Sequence, residues 1–360
     1  MRGGLLSCLP EYGPPPMKNN KYRSQSRKAT PWDSLDELSS SQEFIRRETK
    51  QHYDQRHKKL SEAGETDLIN SFIPDECPFC HEKHFKRNGF NPNGVQKYYC
   101  TDCRSSFLPT TGTVFQDHKI PITEWIEYWR NLFQYLSLSA DSWNNKNAFT
   151  TSKYWFKKTC LLLSQIQDDI ILSGTVYYDE TLIPVRSNQI IWLKNGKKPR
   201  GHSRNQMTIG VATDGIHTVA KYLTTGEPTQ KMIMEVFGKH ILAGSTLITD
   251  KHRGHRKLVH ELSLDNIEYD SKLLKGIPDE DNPLNPVNQK HNMLQKFLKA
   301  HSGFNRDELD DYLNLFVFIT NPPMDKLEKI DILLNLAFQS AVSLKYRDYF
   351  RRKSDVLACY

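Results

Sequence analysis

Two sets of residues have the types and spacings that chemistry needs. In "CPFCHEKHFKRNGFNPNGVQKYYCTDC", Cys77, Cys80, Cys100 and Cys103 follow the pattern C-x2-C, nineteen residues, C-x2-C. Each pair offers two thiolates from one tight turn, and a hairpin between the pairs can close a tetrahedral zinc site. Sulfur would fill all four positions, so this zinc is expected to be structural and closed to substrate. Gly89 and Asn93-Gly94 supply the turn residues between the pairs. With four cysteines in place, His81 and His84 read as surface residues, and Cys8, Cys160 and Cys359 as ordinary thiols. Such a ribbon can bind DNA, RNA or protein, or simply stabilise a small domain. Its spacing does not choose among these.

The second set is acidic. "GTVYYDETLIPV" (174–185) is a β-branched and aromatic run that carries Asp179 and Glu180. On a strand, Tyr177, Asp179 and Thr181 share one face, with Val176, Tyr178 and Glu180 on the other. Carboxylates are rarely buried without a partner. Asp250 ends a second apolar run, "STLITD".

The elements that must position these acids alternate as in an α/β domain. Strands are expected over 174–185, 206–213 and 216–224, followed by a helix over 229–241, the strand "STLITD", a helix near 254–263 and the strand "NIEYDS". Three strands with short links make an antiparallel meander, and the helix then acts as a crossover. "STLITD" returns parallel to the first strand, which brings Asp179 and Asp250 side by side at a switch point. Two adjacent carboxylates repel unless one is protonated or a divalent cation lies between them. Pairing of Asp179 or Glu180 with a nearby Lys or Arg would meet the same need, and both readings stand.

Residues 1–16 read as unstructured, with Met17 a candidate true start, and 43–62 as one charged helix. The stretch 120–172 reads helical: "ITEWIEYWRNLFQYL", then "SADSWNNKNAF", a polar break at "TTS", and "KYWFKKTCLLLSQI". Two helices joined by a short polar turn suit a helix-turn-helix, and an ordinary three-helix bundle gives the same pattern.

Lys+Arg 49 against Asp+Glu 42 gives a net charge of +7. The basic residues cluster in "RRETKQHYDQRHKK", "KNGKKPRGHSRN" and "KHRGHRK", which makes nucleic acid a serious candidate partner. Lys194, Lys197, Lys198, Arg200 and Arg204 lie between the first two strands of the α/β domain, and Lys251, Arg253 and Arg256 directly follow Asp250. Both groups could contact phosphates or form a solvated basic face. No apolar stretch reaches membrane-span length, and no signal pattern opens the chain. Seven cysteines, four of them at metal spacing, fit a reducing cytoplasm.

The ribbon ending "YYCTDCRSSFLPTTGTVF", the opening "IPITEW", and then "YYDETLIPV", "KKPRGHSRNQMTIGVATDG" and "HILAGSTLITD" occur in this order. Over roughly residues 74–320 the chain resembles insertion-sequence DNA transposases with an N-terminal zinc ribbon and a catalytic core of the Asp-Asp-Glu type. The resemblance implies an α/β fold with an RNase H-like mixed sheet. It makes Asp179 and Asp250 the first two ligands of catalytic Mg2+ or Mn2+, and has the helical segment bind transposon ends. It also implies DNA as partner (terminal inverted repeats and target), a homo-oligomer, and a cytoplasmic, nucleoid-associated bacterial protein. The implied boundaries are 1–73 for a charged N-terminal region, 74–115 for the ribbon and 116–173 for the helical segment. The core takes 174–320, and a C-terminal helix and tail take 321–360.

The chain departs from that family at the third ligand. The usual acid lies on a helix, with Asn three residues earlier; in "NPVNQKHNMLQKFLKAHSGF", Asn288 holds the Asn place and His291 that of the acid. Residues i and i+3 on a helix can face one site. Less negative charge there would favour manganese over magnesium. Where the family has a following Lys, the register gives Gln295 with Lys296 beside it, and Glu180 remains a secondary candidate ligand. The implied activity is metal-dependent cleavage at transposon ends followed by strand transfer. A DNA-binding protein with a degenerate, inactive core, or a structure-selective nuclease, are the rival readings.

Overall fold

The computed structural model describes residues 36–56, 64–118, 120–145, 147–199, 201, 203–270 and 272–350. Met17, Cys8, Cys359 and Arg200 lie outside the described residues. The chain divides into two units: Met1–Tyr128, Leu138–Lys158 and Ala337–Tyr360 form the first, and Trp129–Ser137 with Thr159–Leu336 form the second.

In the first unit, helix α1 (Ser40–Arg56) covers much of the charged segment expected to be helical over 43–62, the rest of which lies outside the described residues. Helix α2 (Glu65–Ser71) buries Ile69 and Glu65, and the Glu65 carboxylate accepts the Thr123 backbone N–H at 2.9 Å. Strands β1 (Phe85–Phe90), β2 (Gln96–Cys100) and β3 (Ser106–Phe107) form a three-stranded antiparallel sheet in that order. The β1–β2 turn is closed by the Asn91 side chain, which accepts the N–H groups of Asn93 and Val95 at 3.0 and 2.9 Å. Gly94 takes φ 78°, a conformation glycine adopts without penalty.

Helices α3 (Ile122–Leu132), α4 (Leu138–Asn145) and α5 (Phe149–Leu162) follow. The break expected at Thr150-Thr151-Ser152 falls instead before Phe149, and those three residues open α5. The reason is a buried polar network. Fully buried Asp141 accepts from Ser152 Oγ and Asn145 Nδ2, each at 2.7 Å, and Tyr128 donates to the Ser152 carbonyl at 2.9 Å. Polar side chains that find such partners inside need no turn. Trp125 stacks on Trp155 at 4.3 Å beside this network.

The second unit is an α/β arrangement around a mixed sheet. Strands β4 (Thr175–Pro184), β5 (Gln206–Thr213), β6 (Thr218–Thr225), β7 (Thr246–Asp250) and β8 (Asp265–Tyr269) lie in the order β6-β5-β4-β7-β8. The meander β4-β5-β6 is antiparallel, while β7 is parallel to both β4 and β8. The crossover contains α6 (Gln230–Phe237), whose first turn is capped by the Thr229 side chain accepting from Met232 N–H. Helix α7 (Arg256–Glu261) links β7 to β8. On this face of the sheet, Val176, Tyr178, Ala212, Val219 and Leu247 pack with Ile233, Phe237 and Leu258. The remaining helices of this unit are α8 (Asn285–Ala300), α9 (Leu309–Thr320) and most of α10 (Lys326–Gln339), while α11 (Tyr346–Tyr349) belongs to the first unit. Among the described residues, no helix is long and apolar enough to cross a membrane.

Gly210 in β5 marks where this core is tightest. A Cβ there would lie 2.5 Å from Phe237 Cε2 and 3.0 Å from the Tyr178 hydroxyl. Gly210→Ala is therefore expected to destabilise the protein by about 1–3 kcal/mol through overpacking, read as a lowered thermal midpoint. An unchanged midpoint would mean that Phe237 turns away freely.

Candidate active site and metal centre

Asp179 lies midway along β4, opposite Val211 of β5. The parallel ladder pairs Thr175 with Thr246, Val176 with Leu247 and Tyr177 with Ile248. Continued by two residues, the same register sets Asp179 alongside Asp250, the last residue of β7. Matched positions on adjacent strands are about 5 Å apart and point to the same face. Burial first, then repulsion from Glu180 and Asp250, pushes the Asp179 carboxyl up to about 7. At neutral pH that carboxyl is divided between its acid and its anion unless a cation supplies the missing charge.

Helix α8 meets the Asp179 face. Leu294 and Phe297 are buried, and Gln295 Nε2 donates to Thr181 Oγ1 at 3.2 Å, which fixes the helix against β4. His291 is thereby placed with Nδ1 3.7 Å from Asp179 Oδ2. Burial drives the His291 pKa down to about 4, so the imidazole is neutral at pH 7. Its Nε2 is buried and has no hydrogen-bond partner among the described residues. Asn288, three residues earlier, is half-buried inside α8, which is capped at Leu284 and has Pro286 in its first turn.

Asp179, Asp250 and His291 do not form a group whose ligand atoms all lie within 4.8 Å of one another, as the four cysteines do and as Glu180, His252 and His255 do. Glu180 occupies the opposite face of β4, as strand alternation requires. It accepts from His255 Nε2 at 3.2 Å and from the Tyr178 hydroxyl at 3.1 Å. Burial alone would raise the Glu180 pKa, but the hydrogen bond from His255 and its charge hold it below the usual carboxylate value. His255 is fully buried; burial opposes its charging, and Glu180 outweighs that and raises its pKa. The backbone turn His252–His255 brings this partner in directly after β7. Sequence reading treated "KHRGHRK" only as charge and so missed His255. The local pattern carries no signal for it, because the partner, Glu180, lies 75 residues away in the chain.

The basic residues lie on two connections of the sheet. Lys194, Lys197, Lys198 and Arg204 are exposed on the β4–β5 connection, and Lys251, Arg253 and Arg256 are exposed after β7. The β4–β5 connection leaves the sheet after Pro184, five residues beyond the level at which the parallel β7 finishes.

In the first unit, Cys77 and Cys100 are buried and the four sulfurs converge, with Cys77–Cys103 and Cys80–Cys100 both at 3.6 Å. Zinc–sulfur bonds of about 2.3 Å in a tetrahedron put sulfurs about 3.8 Å apart, so the group fits zinc. His81 and His84 lie outside it, exposed and paired with Glu76 at 2.6 Å and Asp102 at 3.1 Å. Cys160 is buried and is not a member of this group.

No protein-family model matches the chain, and no curated protein matches it. Among solved structures, it is similar to a chain in the cryo-EM structure of a simian T-cell lymphotropic virus intasome in complex with the PP2A regulatory subunit B56 gamma. That match has 9% identity and a TM-score of 0.26, and it covers 53% of this chain and 67% of the other.

Proposed function

We propose that the protein is a metal-dependent DNA transposase of an insertion sequence, which cuts at transposon ends and joins the freed 3′ hydroxyl to target DNA. What carries this reading is the β4–β7 register, which, continued two residues past Tyr177 and Ile248, would bring Asp179 alongside Asp250, together with the shortage of countercharge at Asp179. The sheet order β6-β5-β4-β7-β8, antiparallel on one side and parallel on the other, supports an RNase H-like core over 174–320. In this reading residues 74–115 are a zinc ribbon, and the helical segment 116–173 contacts the transposon ends.

Asp179 and Asp250 would hold Mg2+ or Mn2+, and neutral His291, or Asn288 on the same helix face, would complete the shell. A cation so held supplies Lewis-acid stabilisation of the leaving oxygen and lowers the pKa of the attacking water or hydroxyl. Asp179 would hold the cation in place of its proton. His291 has a ring nitrogen available without having to lose a proton, because it is neutral at working pH. Glu180, tied by His255 and Tyr178, is a positioning residue that fixes β4 beneath the acids. Lys251, Arg253 and Arg256 would fix the phosphate backbone beside them, with Lys194, Lys197, Lys198, Arg200 and Arg204 doing the same further along. Two transposon ends require a homo-oligomer in this reading.

The test is joining of a labelled, pre-cut end oligonucleotide, taken from repeats flanking the gene, to plasmid DNA with Mn2+. Wild type should join, Asp179→Ala and Asp250→Ala should not, and His291→Ala reports on the third ligand. The rival reading, a DNA-binding protein with an inactive core, draws on the missing third acid. It predicts end binding by wild type with no joining in either metal, and that result would overturn the proposal.

A further inference from the structure

The connection between β4 and β5 exposes three consecutive large apolar residues. Ile191 is 50%, Trp192 59% and Leu193 46% exposed. An uncovered apolar patch of this kind is a contact surface waiting for a partner, since single exposed apolar residues are common and runs are not. The stem that carries it is built. Buried Asn205 clamps the Ile191 backbone with both ends of its amide, accepting its N–H and donating to its carbonyl, each at 2.8 Å. Val185 N–H bonds the Asn205 carbonyl at 3.0 Å and so ties the clamp to the end of β4. The tip is a tight turn. Leu193 N–H reaches the Lys197 carbonyl and Gly196 N–H reaches the Leu193 carbonyl, each at 2.9 Å, with Gly196 at φ 73°. Trp192 is therefore held out from a fixed point one residue beyond the clamp.

Its electrostatic setting selects the partner. Lys198 Nζ lies 4.9 Å over the Trp192 ring, and Lys194 and Lys197 are exposed on the same turn. No acid occurs between Glu180 and Asp214; Arg186 at the start of the connection pairs with Asp307 at 2.7 Å, and Lys194, Lys197 and Lys198 have no acid beside them in sequence. An aromatic face beside several cations is the combination that binds single-stranded nucleic acid: bases stack on the ring while phosphates meet the ammonium groups. The arm leaves the sheet beyond the C-terminal end of β4, five residues past Asp179.

We infer that Trp192 is a stacking platform for an unpaired DNA base, with Lys194, Lys197 and Lys198 holding the adjoining phosphates. The arm would grip an unpaired strand beyond the C-terminal end of β4. This rests on the strand-cutting reading for its purpose, but not for its test.

The test uses the full zinc-loaded chain without catalytic divalent cation, which separates binding from chemistry. Two probes are compared, a fully paired duplex and the same duplex with a short unpaired tail containing 2-aminopurine. Trp192→Ala should weaken binding to the tailed probe about 5- to 150-fold and abolish stacking quenching of the 2-aminopurine, while paired-duplex binding stays within about twofold. Trp192→Phe should retain most of the affinity and the quenching. Lys198→Gln should weaken both probes and reduce the slope of log affinity against log salt by about one. Equal losses on both probes in Trp192→Ala, or no loss on either, would overturn the inference while leaving the proposed function standing. A wild-type protein that binds neither probe would sink both.

Discussion

Asp179→Asn is expected to slow metal-dependent strand joining at least about a thousandfold, about 4 kcal/mol of transition-state stabilisation, while making the metal-free protein more stable above neutral pH. Both effects come from one carboxylate. Folded, its pKa is about 7, whereas an unfolded Asp titrates near 3.9. Between those values the folded state holds a proton that the unfolded chain lacks. Stability from this group therefore falls as pH rises from about 4 to about 7, by a total on the order of 4 kcal/mol, and stays low above. Asparagine removes that loss along with the metal ligand. His291 has the opposite sign. Its folded pKa is about 4, against roughly 6.5 unfolded, so stability is lost as pH falls from about 6.5 to about 4. Across that shared window the two contributions oppose each other in the wild type. Asp179→Asn should uncover the loss on acidification, and His291→Gln the loss on alkalinisation. Thermal midpoints of wild type and both variants across this range, without divalent cation, measure the differences. A variant-minus-wild-type difference that ignores pH would show that Asp179 does not carry the raised pKa, and joining by Asp179→Asn would remove it from the chemistry.

What could be read in the sequence was local or periodic. The alternation in "TVYYDETLIP" put Asp179 and Glu180 on opposite faces, and so they are: His291 meets Asp179 across one face, while Tyr178 and His255 hold Glu180 on the other. The crossover argument for a parallel β7 needed only the order of elements and the handedness of such connections, and the mixed five-stranded sheet follows it. Harder to read were pairings set by packing. His255 reaches Glu180 across 75 residues of chain. Nothing in the local pattern of "HRGH" distinguishes that from a surface charge. The break placed at Thr150-Thr151-Ser152 failed for the same reason. Polar residues signal a turn only when no buried partner is available, and Asp141 supplies one to Ser152. Trp192 was passed over because a lone aromatic in a basic loop has no periodicity, and its meaning depends on the Asn205 clamp that holds it out.

Removing zinc from the ribbon is expected to unfold β1–β3 and leave the five-stranded sheet of the second unit intact. The apolar core of the ribbon consists of Tyr98 and Phe107 with Phe85 packed at their edges, ring centroids 5.4–5.6 Å apart, and the cysteines themselves. Ordering each residue costs roughly 1–2 kcal/mol of conformational entropy, and segments near 40 residues seldom offset that from burial alone. Structural zinc contributes about 10–16 kcal/mol in comparable four-ligand units, which is enough to decide whether the hairpin exists. Cys100→Ser is the sharper test than chelation, because Cys100 ends β2 and is fully buried, so its loss opens the metal shell and the sheet together. The variant should carry about one zinc fewer per chain, and its β1–β2 amides should exchange freely. The core around Phe237 and Tyr178 lies in the other unit and should still melt cooperatively. Amides of β1 and β2 that stay protected in zinc-free protein would show that the hairpin stands on its own turn and aromatic contacts, with the four cysteines doing something other than holding it together.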